Sequence, residues 1–170
     1  MSIDIVLEDP RWATCDLERL AQGAEAATCA CLDLNPDQCE SSLLACDDAR
    51  IAGLNAQFRG KPTPTNVLSW PSEDLSTTSA GAQPHRPHPD PHGDIVLGDM
   101  AISYDTCARE ASEVGKSMAD HVTHLVVHGL LHLLGYDHIR DPDATLMEQL
   151  EVTILGSMGL DDPYREKHGA

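Results

Sequence analysis

The sequence predicts an α+β fold of the α/β type, in which a small mixed β-sheet packs with about five helices. Strand-like stretches at residues 3–8, 67–70 and 94–103 are separated and followed by helical ones. The chain of 170 residues suits one domain, 1–170, and its hydrophobic content of 41% is enough for a core. Strands and helices that interleave around one small sheet are typical of this class.

The N-terminal half is predicted to hold one strand and two helices. Residues 3–8 alternate apolar and polar, and an Ala-rich helix follows over about 14–32. The NPDQ stretch at 35–38 ends that helix, and a second helix is predicted over roughly 39–58, with Gly60 as its C-terminal cap. The apolar stripe that favours the second helix consists of Leu44, Ile51, Leu54 and Phe58.

The middle of the chain is predicted to be extended and irregular. Two prolines exclude a helix before a short strand over Val67–Trp70. Residues 71–93 are rich in Pro and Ser and too long for an ordinary connection, so we expect a flexible loop that leaves the core. Residues 94–103 then form a strand with a bend or bulge near Gly98.

Three helices are predicted in the C-terminal part. The first spans 104–117, and the second spans 119–134 and closes at Gly135. The third begins at Asp141-Pro142, a good N-cap followed by proline, and runs to Met158.

Charge and composition limit the classes of function. A formal net charge of −17 argues against broad nonspecific attraction to nucleic acid, so no DNA partner is expected, although a small basic pocket is not excluded. The N-terminus has no signal-peptide pattern and no run of 18 apolar residues exists. We therefore expect a cytoplasmic protein without a membrane partner, whose six cysteines are free thiols.

Three histidines have the spacing of a metal site on a C-terminal helix and the turn after it. His128 and His132 are four residues apart, on one face of a helix, and Gly135 allows the turn that returns His138 to them. Three ligands leave a fourth position open, which is typical of catalytic rather than structural zinc. We expect one Zn²⁺ per chain, although another divalent transition metal fits the same ligands.

The same pattern matches the metzincin protease motif H-E-x-x-H-x-x-G-x-x-H except at one residue. Gly129 stands where a protease has its glutamate base, which disfavours amide hydrolysis. His121 and His124 on the same helix are interpreted as structural or supporting residues. Three further histidines, in the Pro-rich loop, are interpreted as solvated: His85, His88 and His92.

Two long stretches carry a resemblance to a known family. LNAQFRGKPTPTNVLSWP (54–71) and HLVVHGLLHLLGYDH (124–138) resemble the YbeY-type endoribonucleases, which are bacterial rRNA maturation factors. LGDMAIS (97–103) and the tail LMEQLEVTILGSMGLDDPY extend the similarity over most of residues 40–164. Residues 76–93 are longer than this family leads us to expect.

The resemblance implies a single-strand-specific metallo-endoribonuclease that matures the 3′ end of small-subunit rRNA and takes part in ribosome quality control. Its zinc ligands correspond to His128, His132 and His138, and its functionally important arginine corresponds to Arg59. Single-stranded rRNA and the ribosome or its proteins are the implied partners.

The residues themselves support a phosphate-binding role for Arg59. A guanidinium offers a planar fork for phosphate oxygens and keeps its charge near neutral pH. Lys61, two residues on, is a second candidate for substrate binding. Either an activated water or the RNA 2′-OH attacks the phosphate, and Glu148, Asp137 or a hydroxide is the candidate base.

Two other functions remain open at this point. One is a metal-dependent hydrolase or peptidase of small substrates, against which Gly129 argues. The other is a ribosome assembly factor with a mainly structural zinc, whose acidic surface would dock onto basic ribosomal proteins.

Overall fold

The structure, a computed structural model, describes residues 3–164, so that residues 1–2 and 165–170 of the predicted domain lie outside the described residues. The strands are β1 (Ile3–Leu7), β2 (Cys39–Cys46), β3 (Val67–Pro71) and β4 (Ile95–Ser103). The helices are α1 (Leu17–Cys31), α2 (Asp48–Arg59), α3 (Tyr104–Val114), α4 (Met118–Leu133) and α5 (Asp141–Ser157).

The four strands form one mixed sheet in the order β1-β2-β4-β3. β1 and β4 both pair with β2 in parallel, whereas β3 pairs with β4 in antiparallel fashion and forms the edge. With its five α-helices the described chain is an α+β domain, which confirms the predicted fold class.

Side chains alternate between the two faces of the sheet, because successive residues of a strand point to opposite sides. Leu43 and Met100 enter the larger core with residues of α1, α4 and α5. Leu68 and Ala101 lie in a smaller cluster on the other face, where Ile51 of α2 joins them. Helix α4 is buried along most of its length, which fixes its position against the sheet and the neighbouring helices.

The prediction of a helix from residue 39 is wrong, because residues 39–46 form β2, an inner strand of the sheet. The stretch CESSLLAC has three polar residues among eight but buries every second residue up to Ala45, which is the period of a strand. The helix begins only at Asp48, after Asp47 caps it by accepting a hydrogen bond from the Arg50 amide at 2.8 Å. Phe58, predicted to belong to the apolar stripe, is 56% exposed.

Smaller boundary predictions are mixed in outcome. The bulge near Gly98 is confirmed, since Glu40 pairs with Val96 and the next residue of β2 pairs with Gly98. The predicted helix over 104–117 ends at Val114, three residues early. Helix α5 has Arg140 rather than Asp141 as its N-cap residue. The six cysteines are free, as predicted.

The Pro-rich segment between β3 and β4 packs against the domain at both ends. The Arg86 guanidinium donates to the carbonyls of Leu32 and Asp33, just beyond α1. In the reverse direction, the Arg140 guanidinium donates to two carbonyls of the segment, those of Thr77 and Thr78. Within residues 3–164, no helix combines the length and the apolar character that crossing a membrane requires.

Candidate metal centre

Helix α4 presents His128 and His132 from a rigid, buried scaffold. Flanking residues such as Val127, Leu131 and Leu133 are almost fully buried, whereas the two histidines are only partly buried. Their Nε2 atoms are 3.0 Å apart. The helix therefore fixes two imidazole nitrogens on one side of the domain core.

A tight turn after α4 supplies the third histidine. Gly135 has φ of 98°, and a Cβ at this position would lie 2.8 Å from the backbone carbon of Leu75. Glycine is required here both by the positive φ and by the close approach of the Pro-rich segment. The turn brings His138 back, so that one ring nitrogen from each of the three histidines lies within 4.8 Å of the others.

The hydrogen bonds of the two helical histidines set their tautomers. His128 Nδ1 lies 2.5 Å from Glu151 Oε1, and His132 Nδ1 lies 3.0 Å from the Tyr136 carbonyl oxygen. A carbonyl can only accept, so His132 donates from Nδ1, and an ionised Glu151 requires the same of His128. Both Nε2 atoms are then bare acceptors that face each other.

Two bare acceptors 3.0 Å apart need a positive centre between or beside them. Burial, together with His128 and His138, lowers the pKa of His132 to about 4, so a proton is a poor candidate near neutral pH. A divalent transition metal satisfies both lone pairs, and imidazole nitrogens are ligands that zinc accepts. The residues therefore fit a metal ion.

Glu151 of α5 anchors this arrangement from within the core. Its side chain is fully buried, and besides His128 it accepts a hydrogen bond from the Tyr164 hydroxyl and lies 3.6 Å from His124 Nε2. Burial alone would raise the pKa of Glu151, but the nearby His124 ring and the hydrogen bonds with His128 and Tyr164 outweigh it and lower the pKa to about 2. The carboxylate is thus ionised.

The three histidines line an open cleft of about 570 Å³. Arg59, at the end of α2, lines the same cleft, and it is the only lysine or arginine among the described residues that do so. The cleft also contains the three carboxylates of Glu73, Asp74 and Asp137. The structure thus brings Arg59 to the histidines, while Lys61 is exposed and outside the lining, and its substrate role stays a prediction.

The candidate bases named from the sequence differ in position. Asp137 lines the cleft and accepts a hydrogen bond from the His138 amide at 2.7 Å. Glu148 is not among the described residues that line it. Sequence reasoning missed Glu73, Asp74 and Asn66, which also line the cleft, because they belong to the chain on either side of β3 rather than to α4.

Gly129 lies where α4 packs tightly against the sheet. A Cβ on Gly129 would lie 2.8 Å from Met100 Sδ and 3.2 Å from Ser69 Oγ, and the Ser69 hydroxyl donates to the Gly129 carbonyl. The position where a metzincin carries glutamate is therefore a contact between helix and sheet in this protein. No side chain of any size fits there without displacing a neighbour.

The remaining histidines lie outside the group. His121 is buried and pairs with Glu110 at 3.0 Å, and His124 lies beside Glu151. The loop histidines are exposed: His85, His88 and His92. Among the residues the structure describes, the triad is the only group of three or more His, Cys, Asp or Glu side chains close enough to share an ion.

One α+β domain with three converging histidines in an open cleft defines a protein with a candidate mononuclear metal site. A model of the family described as endoribonuclease YbeY matches residues 7–159. A relative from Ruegeria pomeroyi, named endoribonuclease YbeY, is 63% identical over 164 residues, which cover 96% of this chain and 98% of the relative. The chain belongs to the endoribonuclease YbeY family.

Other relatives agree with this assignment. Proteins of the same name from a Jannaschia species and from Paramagnetospirillum magneticum are 56% and 43% identical, and the matches cover 96% and 98% of this chain and 100% and 98% of those relatives. The solution structure of a Thermotoga maritima protein matches with a TM-score of 0.53 at 20% identity, covering 92% of this chain and 91% of that chain. That structure shows a shared fold.

Proposed function

We propose that this protein is a zinc-dependent endoribonuclease that cuts single-stranded RNA. The observation that carries the proposal is one cleft that contains both the histidine triad and Arg59. The name of the relatives, endoribonuclease, supports RNA as the substrate. The family resemblance further supports rRNA as the target, with maturation of the small-subunit 3′ end and ribosome quality control as the processes served.

The charges of the cleft favour a metal-dependent reaction. Three carboxylates and one guanidinium line it, so the cleft by itself would repel the negative charge of a phosphodiester. A divalent cation on three neutral imidazoles would cancel the surplus of two negative charges. When bound, the ion would supply Lewis acidity toward a phosphoryl oxygen and make a water more acidic.

The roles of the protein groups follow from their positions. Arg59 would hold the phosphate against the triad through its planar pair of N–H donors. Asp137 would receive a proton from the attacking oxygen, because it lines the cleft beside His138 and Glu148 does not. Whether that oxygen belongs to water or to the RNA 2′-OH is read from the product ends.

Because this protein is acidic, its approach to RNA requires a partner that offsets the repulsion between negative charges. A formal charge of −17 opposes nonspecific binding to phosphate, but it suits contact with basic ribosomal proteins. We infer that such proteins bring the enzyme to rRNA on the ribosome, in the cytoplasm.

The experiment compares wild type with His132→Ala and Arg59→Ala on labelled single-stranded and duplex RNA, with zinc present. Arg19→Ala is the matched control, because Arg19 is exposed and pairs only locally with Asp16. Wild type and the control should cut the single strand, while the two site variants should lose at least a hundredfold in rate and remain folded.

Other outcomes separate the alternatives. Equal cutting by all four proteins would mean a contaminating nuclease and would overturn the proposal. If zinc binds but no protein cuts, an assembly factor with mainly structural zinc becomes the better account. Cleavage of peptides would favour a metallopeptidase, for which Gly129 leaves no room for a glutamate base.

A further inference from the structure

We propose that Glu151 is the positioning residue of the metal centre: its carboxylate, anchored by Tyr164, holds His128 with Nδ1 protonated and Nε2 turned to the ion. The inference rests on the proposed metal-dependent function and names the group that prepares the site. Glu151 lies on α5, and it reaches His128 of α4 across the core at 2.5 Å. Glu151 is not among the described residues that line the cleft.

A fully buried carboxylate requires an explanation. Removing such a charge from water is costly unless its partners make up for the lost hydration. The ion pairs of Glu151 among the described residues are with histidines, His124 and His128, rather than with lysine or arginine. A well-packed apolar residue would cost less, so this charge is better explained by what it does to His128.

The two oxygens of Glu151 have different partners, which fixes the carboxylate plane. Oε1 faces His128 Nδ1, and Oε2 accepts from the Tyr164 hydroxyl. The His124 ring lies edge-on to the Tyr164 ring, with centroids 5.8 Å apart, and its Nε2 is 3.6 Å from Oε2 of Glu151. A fixed acceptor fixes the rotation of the imidazole, and a carboxylate partner also makes the opposite nitrogen a better metal ligand.

The other two ligands show why this support matters. His132 donates to a backbone carbonyl, which carries no full charge. His138 is 57% exposed, and its Nδ1 lies 3.9 Å from Asp137, beyond hydrogen-bond range. Of the three candidate ligands, His128 therefore has the strongest orienting partner.

Helix α4 also contains a matched control. His121 is buried and pairs with Glu110 of α3 at 3.0 Å, but His121 is not a member of the triad. Loss of either carboxylate removes a histidine partner, although Glu151 is fully buried and Glu110 is about one third exposed. Only the loss of Glu151 should disturb a metal ligand.

The test compares wild type, Glu151→Gln, Glu110→Gln, Tyr164→Phe and His132→Ala. Zinc affinity is measured by chelator competition, the cobalt-loaded proteins are compared by their visible absorption bands, and unfolding is followed in metal-free protein. In metal-free wild type, ¹⁵N NMR reports which nitrogen of His128 carries the proton.

Glu151→Gln should bind zinc about 10- to 100-fold more weakly and alter the cobalt spectrum. Tyr164→Phe should lose a smaller factor, and Glu110→Gln should stay within twofold of wild type. Wild-type His128 should be protonated at Nδ1. The inference is overturned if Glu151→Gln binds zinc like Glu110→Gln, or if His128 is protonated at Nε2. If wild type binds zinc no better than His132→Ala, the proposed metal-dependent function itself fails.

Discussion

Gly129 decides how closely the helix of the candidate metal centre lies against the sheet. Its α-carbon faces Met100 and Ser69, and the Ser69 hydroxyl binds its carbonyl. That contact fixes the height of α4 above β3 and thereby the distance from the histidines to the cleft wall at Ser69. Gly129, which stands where a metzincin has its glutamate base, is thus a packing residue in this protein.

Gly129→Ala should therefore destabilise the protein by about 1–3 kcal/mol, because overpacking at a tight contact outweighs the better helix propensity of alanine. Urea unfolding of the metal-free protein measures the change. Gly53→Ala is the control: Gly53 is exposed within α2, its added Cβ meets nothing within 4 Å, and the substitution should stabilise by up to about 1 kcal/mol. Equal effects of the two substitutions would contradict the packing role.

The grouping of the three histidines could be predicted from the local sequence, whereas the carboxylate of Glu151 that holds His128 could not. The i,i+4 spacing and the glycine turn are local properties, so they are visible in the eleven residues from His128 to His138. Glu151 lies 23 residues from His128 and meets it only through the packing of α5 on α4. Nothing in the local sequence distinguishes it from neighbouring acids of the same helix.

At the scale of elements, β2 was the principal failure of prediction, and the reason is physical. Its residues CESSLLAC lack the β-branched side chains that favour strands, so their local preference is weak. The strand forms because β1 and β4 flank it on both sides, which is a long-range effect. Strands β1 and β4, which contain Ile and Val, were predicted correctly.

The Pro-rich segment forms part of the cleft wall, through residues 73–76, and two clamps hold it. At the first clamp Arg140 binds Thr77, Thr78 and Asp143, and Asp143 in turn accepts from the Gly81 amide. The second is the contact of Arg86 with the chain beyond α1. The clamps limit the flexibility that the composition of this segment predicts.

Arg140→Ala should release the segment without unfolding the domain. Hydrogen exchange of residues 76–83 should speed up at least tenfold, while global stability changes by less than about 1 kcal/mol, because Arg140 lies at the surface. Mass spectrometry after peptic digestion measures the exchange, and Arg86→Ala should instead affect the part of the segment near residue 86. Unchanged exchange in Arg140→Ala would mean that the clamp does not restrain the loop.

Across the whole molecule, the core and the candidate metal centre are largely separate. The larger core cluster joins α1, α4 and α5 to the sheet through apolar side chains, whereas the three histidines line the open cleft, with Glu151 as their link to the interior. The fold class could be predicted because it depends on this apolar pattern. The cleft could not, since it joins the end of α2, the segment around β3 and the turn after α4, which are far apart in the chain.

This separation predicts that metal removal leaves a folded protein. After chelation the protein should keep its near-ultraviolet circular dichroism and unfold in one cooperative transition. Zinc at a thousand times its dissociation constant should then add about 4 kcal/mol to the free energy of unfolding, because it binds only the folded triad. His132→Ala should lose this increment, and His88→Ala, a change in the exposed loop, should retain it. If the protein unfolds without metal, its zinc is structural. The core would then depend on the metal site, and the open cleft would no longer support a catalytic role.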